Sequence, residues 1–557
     1  METKNAFLAI FLSMAVLFGY QLLFPPAQQA PPQIDEAREA ADNEPAPQFA
    51  TPQPAAAPVP VAPVAIQKST SPTIPARTVK VDTDLYTAIF GENGGTVQSF
   101  RLKNYRENIE ADSDFKELVK GSSGRELPLF FSWGTDPSQI VETPHFKASE
   151  SYVSTGNNGE AVLTMTAILP GNLTATETIV FNNDNYLLDV TIDVTNNSET
   201  PLQGSPFLSL TTLPFSESSQ NTRFLFNGPA VLIDDSLEEV KVDDLKEDGP
   251  QTLKGQVSWA AYEDTYFIIA VAPTTDETGS HSVKLTSSDG EKVNTVLTGQ
   301  ADIINSGGSK QYKYTVFFGP KKMADLKAAG HEFNRAIDFG WFGFVARPLL
   351  VLMNLFYKVI NNYGVAIILV TVLIKLIFWP ITQKGMKSMK AMQSLQPKLT
   401  KLREKYKGDK EKMGQEQMKL YQTHKINPLG GCLPMVLQIP VFFALYRVLM
   451  QAIELRHAPF MLWITDLSAP ERLYIGFDLP YVGGLPLLTL IMGGSMFLQQ
   501  KMTPTPSANP EMAKMMMLMP VVFTFLFINF ASGLVLYFFV NNMLQMAQQH
   551  FVNRDRR

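Results

Sequence analysis

The sequence predicts a polytopic α-helical membrane protein that carries a large all-β domain outside the membrane. Three observations favour this class over a soluble protein. Of the 557 residues, 45% are hydrophobic and 18% are charged. Residues 79–330 hold 19 Lys and Arg against 35 Asp and Glu, whereas the rest of the chain has a net positive charge. Long apolar stretches lie near the N-terminus and after residue 339, so the two parts suit different environments.

The first apolar stretch, residues 5–24, is about as long as the roughly 20 residues that cross a hydrocarbon layer of ~30 Å. It is longer than the apolar core of a cleavable signal peptide and continues into Pro25 and Pro26. We therefore expect residues 1–24 to be an uncleaved transmembrane anchor. Residues 25–78 contain 13 prolines and lack the apolar content of a folded domain, so we expect a disordered tether there.

Residues 79–330 have the pattern of an all-β domain. Short alternating or β-branched runs, such as residues 161–165 and 312–318, are separated by Asn-Gly, Asp-Gly and Gly-Gly pairs. Regular helical intervals are absent, so we expect one large antiparallel sandwich. The net charge of −16 disfavours contact of this domain with anionic lipid or nucleic acid.

The remaining chain is predicted to form the membrane part. Residues 331–362 include an amphipathic helix suited to the membrane interface, and residues 383–428 hold 12 Lys and Arg against four acidic residues, which marks them as cytoplasmic. The other expected segments are spans at 363–382, 429–451, 481–500, 515–529 and 533–550, an external loop at 452–480, a cytoplasmic loop at 501–514 and a cytoplasmic tail at 551–557. With the anchor this gives six spans. The basic loops then place the acidic domain outside the cytoplasmic membrane and both termini inside.

Lys375 is the most unusual residue of the membrane part, because it lies inside an apolar span, where a cation costs about 3 kcal/mol. Thr371 lies one turn earlier on the same helical face, and Gln438 interrupts another apolar span. These three side chains are candidates for lining a water-filled groove. Simpler alternatives are that Lys375 extends its ammonium to the cytoplasmic interface, that the Thr371 hydroxyl bonds to its own helix, and that Gln438 joins two helices.

Methionine is concentrated in the membrane part, where 18 of the 23 methionines fall between residues 386 and 546. The methionine side chain adapts to many partners, so the enrichment favours a surface that contacts varied apolar segments. For any single methionine, replacement of leucine in a lipid-facing helix is the simpler interpretation.

The basic segment 384–425 has hydrophobic residues every three or four positions and a Lys-Gly-Asp-Lys turn at 407–410. This spacing predicts a helical hairpin with a basic outer face. Attraction to anionic lipid explains such a face, and binding to ribosomal RNA is equally compatible with its composition.

The sequence has no pattern for catalysis or for a cofactor. The single cysteine, Cys432, excludes an intramolecular disulfide and, with six scattered histidines, gives no zinc-site spacing. No nucleophile elbow, phosphate-binding glycine loop or pair of intramembrane carboxylates is present. We therefore expect no enzyme, no catalytic residue, no metal, no cofactor and no sequence-specific binding of nucleic acid.

Several motifs resemble the YidC/Oxa1/Alb3 family of membrane insertases. They are residues 427–434 (NPLGGCLP), 438–446 (QIPVFFALY), 455–460 (LRHAPF), 463–468 (WITDLS) and 532–537 (SGLVLY), in the family's order. The anchor, the proline-rich tether and the acidic domain are similar to the Gram-negative members.

The resemblance implies a five-helix insertase core with a hydrophilic groove that opens to the cytoplasm and to lipid, and a periplasmic β-supersandwich domain. In the family an arginine in the groove receives polar parts of the incoming chain, and the matching residue is Lys375, which keeps the charge without the planar fork. The hydrophobic slide of the family would correspond to the helices that contain Leu433, Met435, Phe442, Phe523 and Phe527. A long basic C-terminal tail, which binds ribosomes in some members, is missing.

The resemblance implies an inner-membrane insertase and folding chaperone that acts on nascent membrane proteins in the lipid bilayer, alone or with the Sec translocon, without nucleotide hydrolysis. The ribosome is an expected partner through the basic hairpin. Two alternatives remain: a channel or transporter that passes a small anion along Lys375, and a receptor in which the acidic domain binds a periplasmic ligand.

Overall fold

The computed structural model describes residues 62–63 and 77–554. The description omits residues 111, 122–125, 138–142, 157–158, 216–225, 275–280, 288–290, 407, 425–432, 478–481 and 503–509. The expected anchor at 1–24 and nearly all of the expected tether at 25–78 therefore lie outside the described residues.

The first part of the described chain is almost entirely β-structure. Its strands are β1 (Ala62–Pro63), β2 (Thr78–Asp82), β3 (Tyr86–Gly91), β4 (Thr96–Arg106), β5 (Phe115–Lys120), β6 (Phe130–Gly134), β7 (Lys147–Ala148), β8 (Tyr152–Ser154), β9 (Glu160–Leu169), β10 (Leu173–Asn182), β11 (Leu187–Asn196), β12 (Leu202–Thr212), β13 (Gly228–Ile233), β14 (Ser236–Glu239), β15 (Gln251–Gly255), β16 (Val257–Glu263), β17 (Phe267–Pro273), β18 (His281–Ser287), β19 (Val293–Thr298), β20 (Asp302–Ile304) and β21 (Ser309–Pro320). Two short helices, α1 (Val242–Glu247) and α2 (Met323–Ala328), accompany them.

The described strands form three sheets. The largest has nine strands in the order β14-β13-β16-β17-β21-β11-β10-β9-β7, and a second has five in the order β5-β4-β3-β2-β8. The third has seven strands, with β1-β12-β19-β18-β15 in line and β6 and β20 also paired with β12. Most strand pairs are antiparallel, as expected, but β1 pairs with β12 and β2 with β8 in parallel, and the strands form three sheets where one sandwich was expected.

Local sequence explains the regular centre of the nine-stranded sheet. Strand β10 alternates buried and partly exposed residues along its whole length, so one face lies on the core. It follows β9 through a tight turn in which Gly171 and Asn172 both have positive φ, at 81° and 60°. These are the residue types that tolerate the left-handed conformation that such turns need.

The second part of the chain is helical. After two 3-10 turns at Phe333–Ala336 and Gly340–Phe342, the helices are α3 (Gly343–Ile360), α4 (Tyr363–Ser394), α5 (Gln396–Lys405), α6 (Lys410–Thr423), α7 (Leu433–Gln451), α8 (Leu487–Met502), α9 (Pro510–Phe527) and α10 (Ser532–Arg554). A further 3-10 turn, Ile453–Leu455, follows α7. Helix α4 packs against α3 and α10, and α10 also packs against α8.

Helix α4 continues well past the expected end of its span at residue 382. It begins where the Asn362 side chain accepts a hydrogen bond from Val365 N, and it continues through Pro380. The Thr382 hydroxyl donates to Phe378 O, one turn back on the same helix, at 3.0 Å. The first quarter of the expected hairpin is thus an extension of α4, and α5 and α6 form the hairpin itself.

The helices differ in whether their length and apolar content suit a membrane crossing. Within the described ranges, two helical segments are long and apolar enough to cross a membrane, Gly340–Ile360 and Tyr363–Ser394. Shorter apolar helical segments are Leu437–Gln451 and Met517–Phe527. The first of the two long segments covers the helix that the sequence assigns to the membrane interface.

Candidate functional site

Lys375 lies on the face of α4 that packs against α10. Its side chain is buried, with the residue only 7% exposed, and its Nζ donates to Gln545 Oε1 at 2.6 Å. The next two residues, Leu376 and Ile377, are about 60% exposed and point away from the bundle. The ammonium is therefore directed between helices, and snorkelling along the lipid-facing surface does not describe its position.

Thr371 and Gln438 have partners of their own. The Thr371 side chain is buried, and its hydroxyl donates to Ile367 O, one turn back on α4, at 2.7 Å. Gln438 Nε2 on α7 donates to the Tyr537 hydroxyl on α10 at 3.0 Å. Both arrangements match the simpler alternatives left open by the sequence: a threonine bonded to its own helix and a glutamine that joins two helices.

The last helix carries a row of amide side chains that the sequence analysis missed. Asn542 Nδ2 donates to Ser495 Oγ on α8 at 3.2 Å, and Gln549 Nε2 donates to the Met502 carbonyl at 2.6 Å. Between them, Gln548 Nε2 donates to Thr382 Oγ1 on α4 at 2.7 Å. We call Asn542, Gln545, Gln548 and Gln549 the amide row. Asn542 and Gln549 are seven residues apart and face α8, whereas Gln545 and Gln548 are three residues apart and face α4. Both spacings were available in the sequence.

The expected hydrophobic slide is only partly an exposed surface. Phe442 on α7 and Phe527 on α9 both contact Phe538 of α10, with ring centroids 5.4 Å and 4.8 Å away. Phe527 is buried, so it is a packing residue, whereas Phe523 one turn earlier is half-buried. The side chains of Leu433 and Met435 lie outside the described residues, although α7 begins at Leu433.

The exposed apolar residues of α9 lie on the helix face next to the one that carries the expected slide residues. These residues are 45–71% exposed: Val521, Val522, Phe525 and Leu526. Residues 523 and 527 are separated by one helical turn, and Phe527 contacts Phe538 of α10, so the pair chosen by resemblance lies toward the inner side of α9.

The loop between α7 and α8 lies at the end of the helical part that contacts the β-domain. We call it the external loop, after the position that the sequence predicts for residues 452–480. The Ser532 N–H, at the start of α10, donates to Ala469 O at 2.8 Å, and the Ser532 hydroxyl donates to Asp466 O at 2.6 Å. The Asn362 side chain, at the start of α4, donates to Phe460 O at 2.9 Å. The loop is thus bonded to the first turns of the two helices that hold Lys375 and the amide row.

Two charged residues fix the far part of this loop. The Glu471 carboxylate is buried and accepts from Trp463 Nε1 at 2.9 Å and from Thr489 N at 3.1 Å. The Arg472 guanidinium donates to the Ile528 carbonyl at 2.9 Å, which ties the loop to the residues after α9. The loop therefore contacts the external ends of α4, α8, α9 and α10.

The β-domain contacts the helical part through Arg456. Its Nη2 donates to Glu107 O at 2.8 Å, and its guanidinium lies 5.4 Å from the centre of the Phe267 ring. Burial lowers the pKa of Arg456 from its ordinary value, although the nearby acidic groups oppose this shift. A cavity of about 870 Å³ at this junction is lined by charges of both signs, including Lys116 and Asp264.

Within the described ranges, no group of three or more His, Cys, Asp or Glu side chains is placed to hold a metal ion.

Comparison with known proteins adds an independent result. Two family profiles match consecutive parts of the chain: the YidC periplasmic domain matches residues 78–352, and the 60Kd inner membrane protein matches residues 355–557. The membrane protein insertase YidC of Syntrophus aciditrophicus is 40% identical over 563 residues, which cover 99% of both chains. That of Syntrophobacter fumaroxidans is 41% identical over 85% of this chain and 86% of its own. A crystal structure of an active YidC insertase, with its first transmembrane domain resolved, shares 20% identity, covers 87% of this chain and 94% of its own, and superposes with a TM-score of 0.35.

The two family profiles identify an inner-membrane protein with a periplasmic domain, and the β-rich domain followed by apolar helices agrees with this class. The 40% identity of the chain to a YidC insertase over 99% of both chains specifies the class further. The chain belongs to the YidC family of membrane protein insertases.

Proposed function

We propose that this chain inserts hydrophobic segments of nascent inner-membrane proteins into the lipid bilayer and assists their folding, without nucleotide hydrolysis. The observation that carries the proposal is the buried Lys375 ammonium, which is directed between α4 and α10 toward the amide row. Lys375, Thr371 and Gln438 lie on helices that meet at α10, and we assign them to a hydrophilic groove. The groove receives the polar flank of an incoming segment.

The free energy for insertion comes from the client segment. About 20 apolar residues leave water for hydrocarbon, and this transfer is worth far more than the groove contributes. The polar flank is the obstacle, because unsatisfied polar groups in hydrocarbon cost several kcal/mol each. A cation and several amides inside the membrane lower that barrier.

The exposed apolar face of α9 supports the second half of the path. Val521, Val522, Phe525 and Leu526 form a continuous apolar strip on that helix. We assign client contact to this strip and to the half-buried Phe442 and Phe523. Leu433 and Met435 remain assigned to the slide by resemblance alone.

The topology that fits this function has six spans and a five-helix core. The spans are those expected from the sequence, with residues 1–24 as an anchor, residues 25–78 as a tether and both termini in the cytoplasm. The Lys and Arg excess in residues 383–428 supports this orientation. The same basic hairpin is the proposed contact with the ribosome, and the Sec translocon is a proposed partner for larger clients.

Photo-crosslinking tests the groove directly. A photoreactive amino acid that replaces Lys375 is expected to crosslink to a stalled nascent chain in membranes. The matched control places the same probe at Leu376, the neighbouring residue that is 60% exposed on the outer face of α4. Equal crosslinking from both positions would contradict a groove between α4 and α10.

Reconstitution separates insertion from transport. Proteoliposomes without nucleotide should protect the translocated tail of an in-vitro-synthesised client from protease, and Lys375→Glu should abolish protection while Lys375→Arg retains it. A chloride conductance of the same liposomes, lost in Lys375→Gln and accompanied by no insertion, would instead establish the anion channel.

A further inference from the structure

Gln545 has a position in the groove that nothing above explains. Its carboxamide oxygen accepts the hydrogen bond from Lys375 Nζ at 2.6 Å, across the contact between α4 and α10. Gln545 itself is half-buried, and Lys375 is 7% exposed. The cation is thus held by a neutral partner on another helix.

The helices around this pair supply no opposite charge. The sequences of α4, α7, α8 and α10 contain no aspartate or glutamate. A carboxylate at hydrogen-bond distance would neutralise the ammonium, whereas an amide oxygen fixes its place and leaves the charge intact. An ammonium has three N–H donors, so the bond to Gln545 leaves two directions for a ligand.

Neighbouring bonds hold the Gln545 backbone on both sides. One turn before it, Asn542 bonds to Ser495 on α8, and one turn after it, Gln548 bonds to Thr382 on α4. These bonds restrain α10 against rotation at the level of the pair. The amide oxygen is therefore preorganised to hold the ammonium at one point.

We infer that Gln545 is a positioning residue that holds the Lys375 charge in the groove unneutralised and thereby makes the insertase selective for clients with an anionic polar flank. This inference rests on the proposed function. The ligand is a carboxylate of a client segment, which forms a charge-assisted bond with the ammonium while Gln545 keeps the ammonium in place.

Replacing the amide by a carboxylate tests the inference. Gln545→Glu retains the shape and the hydrogen bond but pairs the cation internally. The readout is the ratio of insertion of two clients that differ only in their translocated tails, one with acidic residues and one with the amides Asn and Gln. The ratio should fall about tenfold in Gln545→Glu, the loss of one charge-assisted bond, while insertion of the amide-tailed client is retained. Ala547→Glu, which adds the same charge on the exposed face of α10, is the matched control and should keep the wild-type ratio.

A double variant that exchanges the two residues keeps the test decisive if Gln545→Glu accumulates poorly; we call it the exchange variant. Lys375→Gln combined with Gln545→Lys places the same two groups on opposite helices. It should recover the preference for the acidic tail that Lys375→Gln alone lacks. A Gln545→Glu protein with the wild-type ratio, equal losses for both clients, or an exchange variant no better than Lys375→Gln would each overturn the inference. Failure of the wild-type protein to insert either client would instead reject the proposed function.

Discussion

Glu177 makes the periplasmic domain less stable as the pH rises. It lies in the middle of β10 on the face that packs into the core, and it is 1% exposed. Within the described residues, neither carboxylate oxygen has a hydrogen-bond partner. A Cβ on Gly95 would lie 2.8 Å from Glu177 Oε2, so the backbone packs closely against this carboxyl group. Burial raises the pKa of Glu177 from 4.5 to about 8.

The sign and size of the effect follow from linkage. The folded state holds a proton that the unfolded state releases above pH 4.5, so stability is largest below that pH and falls until the pH reaches about 8. Each pH unit in this window removes about 1.4 kcal/mol. Gln at position 177 cannot ionise, so the free energy of unfolding of Glu177→Gln should rise relative to that of the wild-type protein by about 1.4 kcal/mol for each pH unit.

Urea unfolding of the full chain in detergent at pH 5.5, 6.5 and 7.5 measures this difference, with protection of the periplasmic domain from protease as the readout. Glu263, whose pKa burial raises to about 7 despite Lys321, is present in both proteins and cancels in the comparison. Glu160→Gln, on the exposed face of the adjacent β9, is the control and should not change the slope. Parallel stability curves for Glu177→Gln and the wild-type protein would refute the reasoning, because they would show that Glu177 keeps its ordinary pKa in the fold.

Three further predictions concern the helical part. Gly364→Ala should lower the free energy of unfolding by about 1–3 kcal/mol in thermal unfolding, because a Cβ there would lie 2.1 Å from Phe460 Cδ2. Gly494→Ala is the control and should be tolerated, because a Cβ there would have no atom within 4 Å. Arg472→Ala should increase proteolysis of the external loop without a change in protein level, and an unchanged cleavage rate would show that the bonds of Arg472 do not hold the loop. Ribosome binding through residues 384–425 should weaken steeply between 50 and about 200 mM salt if charge dominates, and salt-independent co-sedimentation would contradict this.

The division into a β-domain and a helical part could be predicted, because alternation and long apolar runs are local properties of the sequence. The pairing of strands could not. Strand β12 pairs with β6, which precedes it by about 70 residues, and with β19 and β20, which follow it by about 90. No local pattern identifies such partners, and this is why one sandwich was expected where three sheets are found.

The candidate site was predicted in part for a related reason. An apolar span with a lysine identifies Lys375 from the sequence alone, but its partner Gln545 is 170 residues away. For Thr371, the sequence is the same whether the hydroxyl is directed to a groove or bonded to its own helix. Only the structure shows the bond to Ile367 O. Phe527 was assigned to a surface by resemblance to the family's slide, and the sequence could not correct this, because a span that is apolar on all sides lacks the pattern that distinguishes lipid from core.

The external loop fixes the rotational phase of α10, the helix that carries the amide row. The Ser532 N–H and hydroxyl are both bonded to this loop, so α10 starts at a fixed point. Each residue of an α-helix turns the chain by about 100°, so one residue added between Ser532 and Gln545 would turn Gln545 toward a different neighbour. One residue added between Phe527 and Ser532 would disturb the bond from Arg472 to Ile528 but would not turn the helix that follows Ser532. A length change before this serine therefore leaves the amide row in place, whereas one after it disrupts the row.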